Sequence, residues 1–388
     1  MLSVFCSPSR YVQGRNATNS LASELLKLGH AGRALIIASR TARKQLEPIW
    51  RNTFTVADVP LDILDFGGEC CQDEIGRCKE EALRVGAATI IGAGGGKVLD
   101  TARAVAGKMD RPVACCPTTA SSDAPCSASS VVYTPEGAFQ QYLFYKRNPD
   151  LVLVDTGVIV NAPIRLLIAG MGDALATRFE AEAVRRAHKA NVVGGVSTLA
   201  AAAIADLCYQ TLTQDGVAAV AAARARAITP AFERIVEANT LLSGLGFESG
   251  GLAVAHSVHN GLTAAEETHD CLHGEKVAFG TLVQLVLEGR DSSLIEEVMS
   301  FCHAVGLPMT LAELGLEKLA PDRALAIAER AVAAGESAHN EAFVVTPEAI
   351  MDAIYAADAW GRAFKLAPSV QLTQTPQGIL RPFAGPFS

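Results

Sequence analysis

Several things are scarce in this chain of 388 residues. Aromatic residues make up 6% of it, with two tryptophans, and charged residues 19%. Residues 1–14 hold no basic stretch followed by an apolar one, so no secretory signal is predicted. The ten cysteines, at positions 6, 70, 71, 78, 115, 116, 126, 208, 271 and 302, include no C-x-x-C pair. Two pairs are adjacent instead, which fits neither a disulfide framework nor a cysteine-based zinc site. Reduced core thiols and a cytoplasmic location are expected. No segment offers the ~20 strongly apolar residues of a membrane span. The nearest, residues 192–209, is rich in Ala and Gly but carries Ser197, Thr198 and Asp206, and it reads as a buried helix. The net charge of -8, from 33 basic and 41 acidic residues, argues against nucleic acid as the main partner.

What is present is a large apolar fraction, 49%, enough to build a substantial core. At ~150 residues per domain the length suggests two or three domains. The first 150 residues alternate strand-like and helix-like segments. Strands are predicted at 34–38, 61–66, 88–91, 113–116 and 151–154, with helices at 21–28, 42–50, 73–85 and 98–108. Such alternation predicts a parallel sheet covered by helices. Residues 121–150 change character, and a hairpin is predicted with 130–133 against 140–145. After Pro163 the pattern is long, Ala-rich and helical to about Lys365. The expected division is an α/β dinucleotide-type domain over 1–160, an all-α domain over 161–365, and a tail over 366–388. Four prolines in that tail forbid a helix and leave either a disordered segment or an arm on a neighbouring subunit.

Three constellations carry chemistry. Residues 90–100 run a strand into Gly94, Gly95, Gly96 and Lys97, then into a helix. Backbone N–H groups and a helix N-terminus in that arrangement can hold a pyrophosphate, and glycines allow its approach. The alternative is a tight turn with surplus glycine. G-x-G-x-x-G and Walker A patterns both fail, at Lys97 and at Ile91 and Val98 respectively. Four of the eight histidines, His256, His259, His269 and His273, fall within 18 residues. His256 and His259 share one face of a helix predicted over 252–262, and a further helix opens at His273. The cluster points to a metal ion; the alternative is core histidines with His269 exposed. Asp173 precedes a helix predicted over 174–186, so it is either an N-cap or a carboxylate aimed into an interdomain cleft.

With these residues in place, the chain resembles the glycerol dehydrogenases of the iron-containing alcohol dehydrogenase superfamily. The matching stretches are 66–69, 94–102, 117–126, 172–177, 246–251, 256–262 and 273–280, in order over roughly 1–365. The resemblance implies a Rossmann-like domain joined to a helical one (the dehydroquinate synthase-like fold), with an active site in the cleft. It implies one ion held by Asp173, His256 and His273. The iron-dependent branch has a further histidine ligand where this chain has Thr177, and three ligands with an open position favour Zn²⁺. It also implies that Gly94, Gly95, Gly96 and Lys97 line the pyrophosphate of NAD, with Asp100 on the same helix. Thr118, Thr119, Ser121, Ser127, Ser129 and Tyr133 match positions around the nicotinamide half; Ser129 replaces the usual leucine. Asp123 matches a substrate-contacting aspartate, and His259 a second active-site histidine.

One departure concerns the cofactor. Where relatives carry an aspartate after the first predicted strand, this chain has Ser39 followed by Arg40, with Arg43 and Lys44 nearby. An acid there binds the ribose 2′-hydroxyl and repels a 2′-phosphate, so its loss implies that NADP is usable. The implied reaction is reversible oxidation of glycerol and other 1,2-diols with hydride transfer to NAD(P). A small polyol is the implied partner, in a homo-oligomer that the resemblance suggests is an octamer, with no role for membrane or nucleic acid. Rival readings are a same-fold enzyme acting on another hydroxyketone or a 2-oxo acid, and an inactive metal-binding scaffold. The dehydroquinate synthase and glycerol-1-phosphate dehydrogenase branches want basic residues where this chain offers Asp123, Ala124, Pro125 and Cys126.

Overall fold

The computed structural model describes residues 2–137 and 139–366. In the first part, strands β1 (Tyr11–Gly14), β2 (Ala34–Ala38), β3 (Leu61–Asp65), β4 (Thr89–Gly94) and β5 (Val113–Pro117) alternate with helices. The helices are α1 (Leu21–Lys27), α2 (Arg40–Val56), α3 (Gln72–Val85) and α4 (Gly96–Met109). An antiparallel hairpin follows, β6 (Ser129–Tyr133) against β7 (Phe139–Phe144), and then β8 (Leu151–Asp155). The main sheet is six-stranded and parallel, in the order β1-β8-β5-β4-β2-β3. Every residue of β2, β4, β5 and β8 is buried, as expected of parallel strands covered on both faces. Along β2, Leu35 and Ile37 pack with Ile75 and Val105, while Ile36 and Ala38 face Leu25, Trp50 and Phe54. The strand order turns at β2, which has β3 on one side and β4 on the other. The crevice beyond the carboxyl ends of β2 and β4 is therefore the switch point where such sheets bind ligands.

The rest is helical: α5 (Thr156–Ile159), α6 (Ile164–Arg186), α7 (Leu199–Arg224), α8 (Pro230–Glu237), α9 (Ser243–Gly250), α10 (Val254–Leu262), α11 (His273–Leu287), α12 (Ser292–Val305), α13 (Pro321–Ala331) and α14 (Pro347–Leu366). A π-helical segment, Ala238–Leu242, joins α8 to α9. The largest core lies among these helices and includes Leu175, Phe179, Phe232, Phe279 and Ile354. No helix among the described residues is long and apolar enough to cross a membrane.

The structure corrects several expectations. A short strand, β1, completes the sheet edge beside β8 where none was predicted. The strand predicted over 88–91 runs on to Gly94 as β4, because Gly92 leaves room for Leu99 and Ala102 of α4 against the sheet. Residues 192–198 are not helical, and α7 begins only at Leu199, which is exposed. Asp173 is no N-cap: α6 starts nine residues earlier and Asp173 sits in its interior. The expectation for 366–388 falls, beyond Leu366, outside the described residues.

Candidate active site

Glycines at matched positions bring the side chains together. A Cβ on Gly172 would lie 2.3 Å from the carbonyl oxygen of Gly274, and one on Gly274 would lie 1.8 Å from that of Ala169. Only glycine lets the two backbones approach this closely. Each adjoins a proposed ligand, Asp173 on α6 and His273 on α11, so the close approach sets the pair side by side. Gly170 does the same for the loop after β5, since its Cβ would lie 2.0 Å from the Ala120 oxygen. The run 244–251 packs α9 in this way too: Gly244 faces Asp123 and Cys126, Gly246 faces Thr177, and Gly250 faces Ala181.

The result is a cluster of three ligand atoms from Asp173, His256 and His273, all within 4.8 Å of one another. His273 Nε2 lies 3.0 Å and His256 Nε2 3.4 Å from Asp173 Oδ1. Asp173 is wholly buried, whereas the His273 side chain is 40% exposed, so the cluster opens to solvent on one side. Burial opposes ionisation of Asp173, but the two imidazoles outweigh it and hold the carboxyl well below the usual carboxylate range. Burial likewise opposes a charged His256, and Glu180 with Asp173 overcomes it, raising that ring well above the ordinary histidine value. One carboxylate oxygen and two imidazole nitrogens converging with an open side is a donor set that fits a catalytic divalent ion, and His₂-carboxylate sets are found with zinc.

Around the three ligands lines of hydrogen bonds extend into the protein. His256 Nδ1 lies 2.6 Å from Glu180 Oε2. His273 Nδ1 lies 2.9 Å from His259 Nε2, and His259 Nδ1 lies 3.1 Å from Asn260 Oδ1, which makes His259 the donor to Asn260 and His273 the donor to His259. Asn260 in turn donates to Glu336. Burial and the neighbouring His273 and His256 push His259 well below the ordinary histidine value. The backbone N–H of Asp123 donates to Asp173 Oδ2 at 3.1 Å. The Asp123 carboxylate accepts from Ser243 Oγ at 2.9 Å, and Ser243 meets Thr177 Oγ1 at 2.8 Å. Burial and the Asp173 carboxylate push the Asp123 carboxyl well above its ordinary value. Thr177, one turn beyond Asp173, thus serves the Asp123 network. His269 is exposed and bonds Thr263, outside the cluster.

A cavity of about 500 Å³ lies at the switch point. It is lined by Ser39 and Arg40 beyond β2, by Phe66, Gly67 and Gly68 beyond β3, and by Gly95, Gly96, Lys97 and Val98 at the start of α4. A Cβ on Gly95 or Gly96 would meet nothing within 4 Å and would project into open space. Those glycines are therefore not required by the protein's own packing, and they leave a helix N-terminus bare toward the cavity, which suits a pyrophosphate. Lys97 Nζ pairs with Glu69 and lies 5.3 Å from the centre of the Tyr133 ring. Gly94 ends β4, where its Cβ would press on Val98 and Ser39, so it packs strand against helix.

Thr118, Thr119 and Ser121 lie on the loop that connects the two places. It starts with Thr118 N–H bonded to Gly94 O, carries a Thr119–Ser121 hydroxyl contact of 3.2 Å, and ends at Asp123 beside Asp173. Ser127 Oγ donates to Ala124 O, and Ser129 Oγ to Ser127 Oγ. Asp100 is not brought to the cavity. It is buried against Arg103, which also donates to Ala124 O and so secures the turn that carries Asp123. Glu180 and Ser243 were not singled out from sequence. The seven-residue spacing of Asp173 and Glu180 on one helix face was the available signal for Glu180; Ser243 had none.

Known proteins resemble this chain in sequence and in fold. A family model described as iron-containing alcohol dehydrogenase matches residues 8–156. The glycerol dehydrogenase of Pseudomonas putida is 51% identical over 358 residues, 92% of this chain and 98% of that protein. The glycolaldehyde reductase of Halobacterium salinarum is 46% identical over 362 residues, 93% of this chain and 99% of that protein. The crystal structure of glycerol dehydrogenase from Schizosaccharomyces pombe matches with a TM-score of 0.89 at 40% identity, over 93% of this chain and 92% of that one. The chain belongs to the iron-containing alcohol dehydrogenase family, within its glycerol dehydrogenase branch.

Proposed function

We propose that this chain is a zinc- and NAD(P)-dependent dehydrogenase of small 1,2-diols, oxidising glycerol reversibly to dihydroxyacetone. The observation that carries the reading is the juxtaposition of an open Asp173–His256–His273 cluster with a glycine-lined cavity at the sheet switch point, joined by one loop. Asp173, His256 and His273 would hold the zinc, whose contribution is Lewis-acid stabilisation of a developing alkoxide. Gly95, Gly96 and the α4 N-terminus would take the pyrophosphate, with Lys97 leaving Glu69 to join it. Thr118, Thr119, Ser121, Ser127, Ser129 and Tyr133 are the side chains proposed along the nicotinamide half. Asp123, fixed by Ser243 and by its backbone bond to Asp173, is placed to take a polyol hydroxyl. His259 orients His273, and Asn260 with Glu336 extends that line of hydrogen bonds, which we assign to proton release.

The division into 1–160 and 161–365 is part of the proposal, and it is supported by every strand of the main sheet falling in the first segment. A cytoplasmic location fits the ten free cysteines, eight of them buried. A homo-oligomer, octameric by family resemblance, is part of the proposal.

Relaxed cofactor choice is the finer element. Ser39 Oγ caps α2 by accepting from Ala42 N at 3.2 Å, and Arg40 beside it lines the cavity. Arg43 is engaged by Glu47 and Asp65, so Arg40 is the cation placed to meet a 2′-phosphate. A second reading, a reductase of a small hydroxyaldehyde, is favoured by the name of the halobacterial relative. The test is initial rates with glycerol, 1,2-propanediol and glycolaldehyde, using NAD and NADP side by side, before and after chelation and zinc restoration. Diol oxidation abolished by chelation and restored by zinc is expected. Turnover of glycolaldehyde alone would select the second reading. Ser39→Asp should raise the preference for NAD, and an unchanged ratio would sink the NADP assignment.

A further inference from the structure

We propose that Glu180 is the positioning residue of the metal centre: it dictates which nitrogen of His256 faces Asp173 and His273. The inference rests on the metal-centre reading above, because it concerns one of its ligands. Glu180 lies on α6 seven residues after Asp173, two turns along the same face, and its side chain is wholly buried. Its Oε2 lies 2.6 Å from His256 Nδ1. Its Oε1 accepts from the backbone N–H groups of Ala253 at 2.9 Å and His256 at 3.0 Å. The same carboxylate therefore pins the start of α10 and turns the ring that α10 carries.

The two backbone donors decide the chemistry. Both N–H groups point at one oxygen of Glu180 and hold it in place. The other oxygen makes Nδ1 the donor nitrogen, so that with an ion bound it is Nε2, 3.4 Å from Asp173 Oδ1, that turns its lone pair to the cluster. Carboxylate partners of ligating imidazoles fix tautomer and orientation in this manner. Glu180→Gln separates orientation from packing. The amide has the same shape, and the Ala253 and His256 N–H groups require its oxygen. Its NH₂ then faces Nδ1, which must accept, so the proton of a neutral ring moves to Nε2 and blocks ligation.

The experiment is zinc release from the loaded full-length protein to a chelator of known affinity, for wild type, Glu180→Gln, Glu180→Asp and His256→Ala. Glu180→Gln should weaken zinc by about 10–100-fold while Glu180→Asp, which keeps an acceptor, recovers part of that loss. Zinc held by Glu180→Gln within twofold of wild type would overturn the proposal. An equal loss in Glu180→Asp would make the effect one of packing and would overturn it too. If His256→Ala also keeps its zinc, the metal-centre reading itself fails and takes the proposal with it. A histidine-selective ¹⁵N spectrum of the zinc-loaded wild type supplies a readout that needs no Glu180 variant. A protected Nδ1–H signal that disappears in His256→Ala is expected, and an Nε2–H signal in its place would refute the assignment.

Discussion

The two halves of the active site are built on opposite plans. On the sheet side the cavity is made of backbone: glycines at strand ends, a bare helix N-terminus, and a lysine resting on Glu69. On the helical side the cluster is made of side chains, Asp173 buried and His273 partly exposed, that neighbouring protein groups hold by hydrogen bonds. The difference matches what each side must bind. A dinucleotide is large and arrives with its own shape, so an open cradle with a positive helix end suffices. A cation needs a few atoms placed within tenths of an ångström, and only a rigid shell of hydrogen bonds supplies that.

The most severe way to break the comparison is His256→Ala. It removes one of three ligands and leaves Glu180 without its partner. Zinc content should fall to background, and diol turnover by about 10³-fold or more, the scale of several kcal/mol of charge stabilisation. Metal analysis and steady-state rates on the same preparation check it. Dinucleotide binding, followed by nicotinamide fluorescence, should survive, because the cavity at the switch point shares no side chain with the cluster.

Glycine substitutions sharpen the contrast. Gly172→Ala drives a methyl to 2.3 Å from the Gly274 carbonyl and forces α6 and α11 apart at Asp173 and His273. It should cost about 1–3 kcal/mol of stability or more, as overpacking does, and lower zinc affinity with it. Gly95→Val places its side chain in open space at an extended backbone position, φ -80° and ψ -177°, that valine adopts readily. Thermal stability should be unchanged while the KM for dinucleotide rises by about tenfold, since the side chain occupies the phosphate approach. Calorimetry and cofactor titration of the two variants would show the same change of residue type acting on packing in one half and on ligand in the other.

This contrast also explains what could be read from the sequence. The sheet side was legible: the short apolar runs 34–38 and 151–154 became buried parallel strands, and the glycine run fell where a strand was predicted to feed a helix, a junction that the strand order then sets at the switch point. β1 was not legible, because Tyr11–Gly14 is only half-buried and owes its conformation to pairing with β8. On the helical side the three proposed ligands were named, but the helix that carries Asp173 was misread. Gly170 and Gly172 look like helix breakers in sequence, and only the approach of Ala120 and Gly274 shows that they sit inside α6 to make room. Asp100 was misplaced for the reverse reason: its spacing from Arg103 allows an ion pair on one face, and tertiary burial selected that pair over the cavity. Glu180 was missed because it stands near Glu182 in an Ala-rich helix, and a glutamate there looks the same in sequence whether it meets water or a histidine.

The smallest expected effect concerns what the rigid half costs. Glu341, buried beside α10, has one carboxyl oxygen with no hydrogen-bond partner. Burial first, then the nearby Glu288 and Glu180 carboxylates, push it up to about 8 against an ordinary 4.5, with Arg186 acting in the opposite sense. A folded-state value above the unfolded one means that the folded chain keeps a proton the unfolded chain has released. Stability from this group is therefore fully present below about pH 4.5 and is lost as pH rises through 8. Glu341→Gln keeps the shape and cannot ionise. It should flatten the fall in melting temperature between pH 6 and 9, by a difference of about 1–2 kcal/mol at the alkaline end. Gly95→Val, on the open side of the site, should leave that profile untouched. Parallel pH slopes for wild type and Glu341→Gln would mean that Glu341 is ionised across the whole range, and that the acids behind His256 cost the fold less than their burial implies.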